Sequence, residues 1–278
     1  MEDLQSLTDY RNIPIERVGI SRLALPIMIR EMAGGYQHVQ AESSMFVEVP
    51  AAVRGTHMSR FVELLHEWTD KPVSSGDIEA LLEQTRARAG SLSAEAELAF
   101  RYFISKPAPV SGRSGVVDYR CAFKGRVDAR GYRFALSVQI PVTTLCPCSK
   151  AISDYGAHNQ RTYVDVDIES LPGALVWIED IVQMVEGEAS CPVFSVLKRE
   201  DEKWVTERAY DNPKFVEDLV RDLVLRISGH ADIARLSVAA ESLESIHNHS
   251  AHASTVIVLQ SPAEVGAFTL NDLQAARS

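Results

Sequence analysis

The sequence Val116-Val-Asp-Tyr-Arg-Cys-Ala-Phe-Lys-Gly-Arg-Val127 runs into the turn Asp128-Ala-Arg-Gly131 and continues as Tyr132–Val142. Apolar and polar side chains alternate on both sides of the turn, which is the pattern of strands with one buried face. A short turn that contains glycine is typical of the connection between two antiparallel strands. We therefore predict a sheet that continues through the middle of the chain.

The half of the chain before this turn carries further alternating stretches and two segments with helical spacing. Gly34 and Gly35 separate two of the alternating stretches, as expected for a hairpin. In the helical segments the apolar residues recur every three or four positions. The predicted elements are, in order, strands Ile20–Met32 and Tyr36–Val49, helices His57–Trp68 and Ser74–Ala89, and strands Leu98–Ile104 and Val116–Val127.

The second half repeats this order with one interruption. Its predicted elements are strands Tyr132–Val142 and Thr162–Ile168, helices Leu175–Glu186 and Pro213–Ser228, and strands Ile233–Glu241 and Ser254–Gln260. Residues 187–212 are rich in Glu, Lys and Arg, and we predict that they form an irregular insertion. Long loops without a core of their own are more often functional than decorative.

Strands grouped as antiparallel pairs, with helices between the pairs, favour an α+β fold over a doubly wound parallel sheet. The approximate repeat predicts two similar modules, which agrees with the length of the chain. We place the boundaries at an N-terminal segment 1–19, a first module 20–129, a second module 130–262 and a C-terminal tail 263–278. The second module carries most of the motifs described below.

The composition is that of a globular protein, with 278 residues, of which 46% are hydrophobic and 24% charged. A formal net charge of -10 argues against a nucleic-acid surface as the main role. No apolar run approaches the roughly 18–20 residues that a membrane span needs. Four cysteines are too few for a disulfide scaffold, and the first residues resemble no export signal. We therefore expect a cytoplasmic protein with reduced thiols and no membrane partner.

Two cysteines and a histidine follow the strand that ends near Val142. Cys146 and Cys148 lie in Cys-Pro-Cys, and His158 lies in the polar loop Gly156-Ala-His-Asn-Gln-Arg161. Thiolate and imidazole are ligands that Zn²⁺ and Fe²⁺ prefer, so the pair indicates a metal site. The alternatives are two buried structural cysteines, a redox-active cysteine pair and a merely solvated histidine.

A second cluster of histidines lies near the C-terminal end. His247 and His249 are two positions apart, which on a strand places both side chains on one face. Two imidazoles that titrate near neutrality suit proton transfer or metal binding. Glu244 precedes them and could orient one ring. The alternative is a solvated turn rich in histidine.

A third group of candidates lies between these clusters. Pro213 at the first helical position, with Asn212 as its cap, predicts a helix start that places Glu217 in the early turns. Glu217 could simply interact with the positive helix end, or its carboxylate could accept two hydrogen bonds from the edge of a guanine. Lys198 and Arg199, together with Arg208 and Lys214, could form a phosphate-binding patch or an ordinary solvated face.

Five motifs together resemble GTP cyclohydrolase of type IB, and the resemblance runs from about Arg11 to about Leu259. Each motif is weak alone, but their common order makes the resemblance specific. The motifs are Gly55-Thr-His-Met-Ser-Arg-Phe61, Cys146-Pro-Cys-Ser-Lys150, Gly156-Ala-His-Asn-Gln-Arg161, Asn212-Pro-Lys-Phe-Val-Glu-Asp218 and Glu244-Ser-Ile-His-Asn-His249.

The resemblance implies a tunnelling fold with two tandem ββααββ modules in each chain. Antiparallel sheets would join across subunits into a barrel with the helices outside. It further implies a homotetramer with active sites at subunit interfaces. The implied reaction converts GTP and water to 7,8-dihydroneopterin triphosphate and formate, at the entry to pterin and deazaguanine biosynthesis.

The same resemblance assigns roles to the candidate residues. Cys146 and His158 would be ligands of a divalent Zn, Mn or Fe ion, and Cys146 is thereby also catalytic. Glu202 is the expected third ligand, although Glu200 and Glu207 lie too close in sequence to be separated from it. The remaining assignments are Glu217 as the guanine anchor, His247 and His249 as acid/base residues, Glu244 beside the substrate, Lys198 and Arg199 on the phosphates, and Cys148 as a structural or supporting residue.

Other functions compete with this interpretation. An archaeal-type cyclohydrolase would form a 2′,3′-cyclic phosphate from the same substrate. A tunnelling-fold nitrile reductase would use a cysteine nucleophile and NADPH, which leaves the histidine and glutamate partners of Cys146 unexplained. A non-catalytic purine-binding or metal-storage protein would bind without turnover, and a thiol-redox protein would have no use for the histidines.

Overall fold

The computed structural model describes Gln5 and residues 7–259. Within these residues, ten strands join in one sheet. The strands are β1 (Ile15–Arg30), β2 (Tyr36–Val49), β3 (Pro72–Val73), β4 (Ala94–Pro107), β5 (Ser114–Asp128), β6 (Gly131–Leu145), β7 (Asn159–Ser170), β8 (Cys191–Pro192), β9 (Ile233–Leu243) and β10 (Ser250–Val258).

The sheet has the order β10-β9-β7-β6-β5-β4-β2-β1-β3, and the short β8 pairs with β6. The long strands pair antiparallel, and β3 alone runs parallel, beside the end of β1. Asp128 pairs with Gly131 across the β5–β6 turn, so the predicted continuity of the sheet through this turn is confirmed. Gly131 has φ 103°, a left-handed conformation that glycine adopts without steric cost.

Six α-helices lie within the described residues. They are α1 (Ser59–Trp68), α2 (Ile78–Ala89), α3 (Pro147–Ile152), α4 (Ile178–Glu188), α5 (Arg199–Asp211) and α6 (Val216–Ser228). Helices α1, α2, α4 and α6 bury apolar stripes against the sheet; in α6 the stripe is Leu219, Val220, Leu223 and Ile227. Burying each such side chain stabilises the fold by about 1.5–3 kcal/mol. The predicted α+β class is confirmed, and no helix in this part of the chain is long and apolar enough to cross a membrane.

A polar surface of the sheet is built by β4, β5, β6, β7 and β9. Arg101, Arg120 and Arg161 stand on it, together with Asp118 and Glu241, around a cavity of about 450 Å³. Arg101 forms an ion pair with Asp118. The sheet thus has an apolar side under the helices and a charged side, as the alternating sequence predicts.

Two tyrosines connect the first half of the chain to α4. Tyr102 donates to Glu179 at 2.5 Å, and Tyr119 donates to Glu186 at 2.8 Å. Lys106 completes the second contact, with its Nζ 2.5 Å from Glu186 Oε2. Burial and the Glu186 carboxylate raise the pKa of Tyr119 above its ordinary value of 10.0, so the phenol remains a hydrogen-bond donor at neutral pH.

Some sequence predictions are wrong in this region. Residues 187–212 are not an irregular insertion, because they contain β8 and the whole of α5. Asn212 ends α5 and does not cap the next helix, which begins only at Val216 after Phe215. The short helix α3 was not predicted. The proposed modules 20–129 and 130–262 stay predictions, and the tail 263–278 and Gln260 lie outside the described residues.

We expect Tyr119→Phe to lower the free energy of unfolding by about 1.5–3 kcal/mol, the range for a hydrogen bond to a charged group. The substitution removes only the hydroxyl and leaves the half-buried Glu186 with one donor fewer. Urea denaturation followed by circular dichroism measures the change. Tyr155→Phe, at a fully exposed tyrosine, is the matched control and should change nothing. Equal stability of the two variants would contradict this account.

Candidate metal and substrate site

The pairing of β6 with β7 brings Cys146 and His158 together. The ladder ends at Leu145 and Asn159, and directly beyond it the backbone N–H of Cys146 donates to the carbonyl of His158 at 3.1 Å. Neighbouring strands lie about 5 Å apart, so residues paired in this way are close in space although twelve positions separate them. The sheet therefore places the backbones of the two predicted ligand residues side by side.

The loop between them is held by Ser149. Cys146 is the N-cap of α3, and its sulfur accepts a hydrogen bond from the backbone N–H of Ser149 at 3.5 Å. The Ser149 hydroxyl donates to the Cys146 carbonyl at 3.1 Å and accepts from the His158 N–H at 3.2 Å. Gly156, with φ 130°, lets the chain turn back from α3 to His158, a conformation that favours glycine. These bonds fix both candidate ligands from one side chain.

The two cysteines of Cys-Pro-Cys have different environments. Cys146 is half-buried and bonded to the loop, whereas Cys148 is exposed inside α3. Neither forms a disulfide. The different burial and bonding of the two thiols favour unequal roles for them.

His158 lies between an amide and a carboxylate. Its Nδ1 is 3.0 Å from Gln160 Oε1 and 3.9 Å from Glu244 Oε2. Glu244 comes directly after β9, which pairs with β7, so the sheet also determines this approach. The predicted substrate residue Glu244 is thus brought to His158.

His247 and His249 do not lie on a strand, so the turn is the one of the two interpretations left open by the sequence that the structure shows. They lie in the turn between Leu243, the last residue of β9, and Ser250, the first of β10. Their rings nevertheless stack, with centroids 5.0 Å apart and planes at 19°, and both are exposed. The strand interpretation fails because the apolar alternation stops before Glu244.

Helix α5 lies beside the Cys146–His158 loop. Val205 and Ala209 pack with Leu145 and Ala157, the residues that precede Cys146 and His158. Glu202 is exposed, one turn before Val205. Glu207, which lies on the same helix five positions after Glu202, forms an ion pair with Lys203 at 2.5 Å.

Asp201 anchors the N-terminal end of α5. This buried carboxylate accepts from the backbone N–H groups of Val110, Ser111 and Lys198 at 2.8–2.9 Å and from the Ser111 hydroxyl at 2.6 Å. Burial alone would raise the pKa of Asp201, but the bonds from Ser111, Lys198 and Val110 lower it below its ordinary value of 3.8. The helix that carries Glu202 is therefore fixed to the β4–β5 loop.

The remaining candidates are dispersed. Lys198 and Arg199 are exposed at the start of α5, and Glu217 is exposed in the first turn of α6, as predicted. Glu217 lines a cavity of about 560 Å³ between α6 and β10. Among residues 7–259, no group of three or more Cys, His, Asp or Glu side chains is close enough to hold a metal ion.

A family model described as Type I GTP cyclohydrolase folE2 matches residues 1–253. The chain belongs to this family. It is 46% identical over 253 residues to the GTP cyclohydrolase FolE2 of Methylobacillus flagellatus, with 91% of this chain and 94% of that protein covered. It is also 46% identical over 254 residues to that of Geobacter sulfurreducens, with 91% and 97% covered.

Solved structures support the fold of this family member independently of sequence. The uricase from Arthrobacter globiformis superposes with a TM-score of 0.53 at 8% identity, over 91% of this chain and 96% of that one. A hyper-thermostable mutant of AgUricase gives a TM-score of 0.50 at 8% identity, over 88% and 92%. At such low identity the likeness concerns the fold alone.

Several residues that shape this site were not predicted from the sequence. Gln160 could have been found, since it is two positions after His158 and strand residues two apart share a face. Ser149 lies inside a quoted motif but its capping role depends on the loop geometry. Asp201 carries no signal in the sequence, because a buried carboxylate and a solvated one look alike in a charged segment.

We expect Asp201→Asn to lower the thermal midpoint by several degrees at pH 7, because an amide cannot accept all four hydrogen bonds. A carboxyl whose pKa is lowered in the folded state stabilises the fold above its unfolded pKa, and this contribution is lost as the pH falls further. The difference between the two proteins should therefore shrink as the pH falls below about 3.8. Thermal unfolding between pH 7 and pH 3 measures it.

Asp70→Asn, at an exposed aspartate, is the control and should follow the unsubstituted protein at every pH. An Asp201→Asn difference that stays constant or grows on acidification would contradict the assigned role.

Proposed function

We propose that this chain converts GTP and water to 7,8-dihydroneopterin triphosphate and formate. The observation that carries the proposal is the family match over residues 1–253 together with the adjacency of Cys146 and His158. The motifs that contain Cys146 and His158 are two of the five on which the resemblance to the family rests. A protein that only stored metal or bound purine would not require the two stacked histidines that follow β9.

The donor atoms around the loop fit a divalent Zn, Mn or Fe ion. Cys146 offers a sulfur, and His158 offers Nε2 when its Nδ1 faces Gln160. Glu202 is the proposed third ligand, with Glu200 and Glu207 as alternatives on the same helix. A divalent ion, when bound, lowers the pKa of a coordinated water from near 16 toward about 7 and so favours attack at neutral pH.

The substrate must be oriented with C8 of its guanine toward these ligands. We assign this to Glu217, whose carboxylate can accept two parallel hydrogen bonds from N1–H and the 2-amino group of guanine. Lys198 and Arg199 are the proposed partners of the triphosphate, since their exposed side chains keep both charges available. Glu217 stands on α6 and the two cations on α5, so the proposed contacts reach the nucleotide from two helices.

Proton transfers follow the addition of water at C8. His247 or His249 would donate a proton to N7 as the C8–N9 bond opens, and because both stacked rings are exposed, solvent can return a proton to the donor afterwards. Glu244, 3.9 Å from His158, would keep negative charge close to the imidazole. The later rearrangement of the ribose needs further proton transfers, which we assign to the same histidines.

The assembly proposed with this function is a homotetramer with a tunnelling fold. Two modules, 20–129 and 130–262, would join their sheets edge to edge across subunits, with the helices outside and the active sites at the interfaces. The support is that β10 and the long β1 lie at or next to the two sheet edges, and an unpaired edge is a template for pairing with another chain.

We propose that the enzyme works in the cytoplasm.

We expect Cys146→Ala to lower GTP turnover by more than about 100-fold, because even the loss of an outer partner of a metal ligand costs about 10–100-fold. The assay incubates GTP with Mn²⁺, Fe²⁺ or Zn²⁺ and oxidises the product to fluorescent neopterin. Mass spectrometry before oxidation separates the triphosphate from a 2′,3′-cyclic phosphate.

Cys148→Ala removes an exposed thiol from the same loop and is the matched control. It should cost far less activity than Cys146→Ala. No pterin product with any of the three metals would overturn the proposed function, and a cyclic phosphate would assign the archaeal-type reaction instead.

We expect sedimentation equilibrium to give a mass of about four times the 30.7 kDa of the chain. Four is the number that the family resemblance implies, and the strands at the two sheet edges of each chain could pair across subunits into a closed ring. A protein that stays monomeric and fully active at all concentrations would contradict the assembly and the interfacial sites.

A further inference from the structure

Gln160 connects the imidazole of His158 to a buried group of hydroxyls. Its side-chain Oε1 is 3.0 Å from His158 Nδ1, and its Nε2 is 3.3 Å from Thr144 Oγ1. Only 9% of Gln160 is exposed. A buried amide of this kind is held by its partners and cannot exchange them freely for water.

We propose that Gln160 is a positioning residue that fixes His158 in the Nδ1–H tautomer. A neutral imidazole carries one proton, and a carbonyl oxygen can only accept, so the nitrogen that faces it must be the donor. The Nε2 lone pair is then free for a divalent metal ion. The inference rests on the proposed function in one respect, namely that His158 is a metal ligand.

A cluster of three buried hydroxyls next to Gln160 holds its side-chain amide in place. Thr144 Oγ1 is 2.8 Å from Thr162 Oγ1, which is 2.5 Å from Ser242 Oγ. Ser242 Oγ is also 3.4 Å from Thr144 Oγ1, so the three hydroxyls form a closed group across β6, β7 and β9. All three side chains are buried. Each hydroxyl has lone pairs to spare, and Thr144 can accept from the Gln160 amide.

Glu244 decides which end of the amide faces His158. Hydroxyls can donate or accept, so Thr144 by itself would tolerate either orientation of Gln160. The Glu244 carboxylate, 3.9 Å from the same Nδ1, can only accept. A proton on Nδ1 can therefore be donated to Gln160 and lies in the favourable field of the Glu244 carboxylate. The reversed amide would place the proton on Nε2 and block metal binding there. His158 is thus preset for a ligand before any metal arrives.

Gln160→Leu keeps the approximate volume and removes the acceptor. We expect His158 to lose its preference for Nδ1–H in this variant and the affinity for Zn²⁺ to fall about 10–100-fold, as for other outer partners of metal ligands. Gln160→Glu retains an acceptor oxygen and should keep both the tautomer and the affinity. Gln37→Leu removes a half-buried glutamine on β2, four strands away from β7, and is the matched control.

The tautomer is measured on metal-free protein that carries ¹⁵N-labelled histidine. Solid-state NMR distinguishes a protonated from an unprotonated ring nitrogen whatever the size of the assembly, and His158→Gln identifies the signals of His158. Competition with a chelator gives the Zn²⁺ affinity of each variant, and circular dichroism verifies folding.

The expected result is an Nδ1–H signal in the unsubstituted protein and in Gln160→Glu, and its loss with weaker Zn²⁺ binding in Gln160→Leu. An Nε2–H signal in the unsubstituted protein, or an unchanged tautomer or affinity in Gln160→Leu, would overturn the inference. Failure of the unsubstituted protein to bind Zn²⁺, Mn²⁺ or Fe²⁺ would instead overturn the proposed ligand role of His158. The nitrogen spectrum and the metal titration thus separate the two failures.

Discussion

The backbone hydrogen bond from Cys146 to His158, at the end of the β6–β7 ladder, is the contact on which the site depends. It exists because eleven consecutive residue pairs of β6 and β7 are in register up to Leu145 and Asn159. A slip of one position would turn every side chain of β7 to the other face. The hydrophobic core therefore keeps the two candidate ligands together, although neither belongs to it.

Polar side chains then fix the positions of Cys146, His158 and the adjacent helix α5. Ser149 fixes the loop, Gln160 faces the imidazole, and Asp201 ties the neighbouring helix α5 to the β4–β5 loop. Gln160 and Asp201 are buried, and buried polar groups are costly unless their bonds are made, so these bonds favour one arrangement of the site.

Much of the fold was predictable, because one face of the sheet is buried and long stretches of its strands alternate in burial, as in β2 and β4. Helix α5 escaped prediction because it contacts the protein mainly through Val205, Ala209 and the buried Asp201, which leaves no apolar period in a charged sequence. The pairing of Cys146 with His158 followed from the motifs. Its supporting residues did not, since hydrogen bonds across strands depend on register. Spacing alone does not separate Glu202 from Glu200 and Glu207, because it does not reveal which glutamate of α5 faces the loop.

X-ray absorption at the zinc edge of reconstituted protein tests the central claim most directly, since it reports the atoms bound to the metal. We predict one sulfur at about 2.3 Å and imidazole nitrogen at about 2.0–2.1 Å. The sulfur contribution should vanish in Cys146→Ala and persist in Cys148→Ala. A coordination shell without sulfur in the unsubstituted protein, or a sulfur that survives the loss of Cys146, would contradict the account.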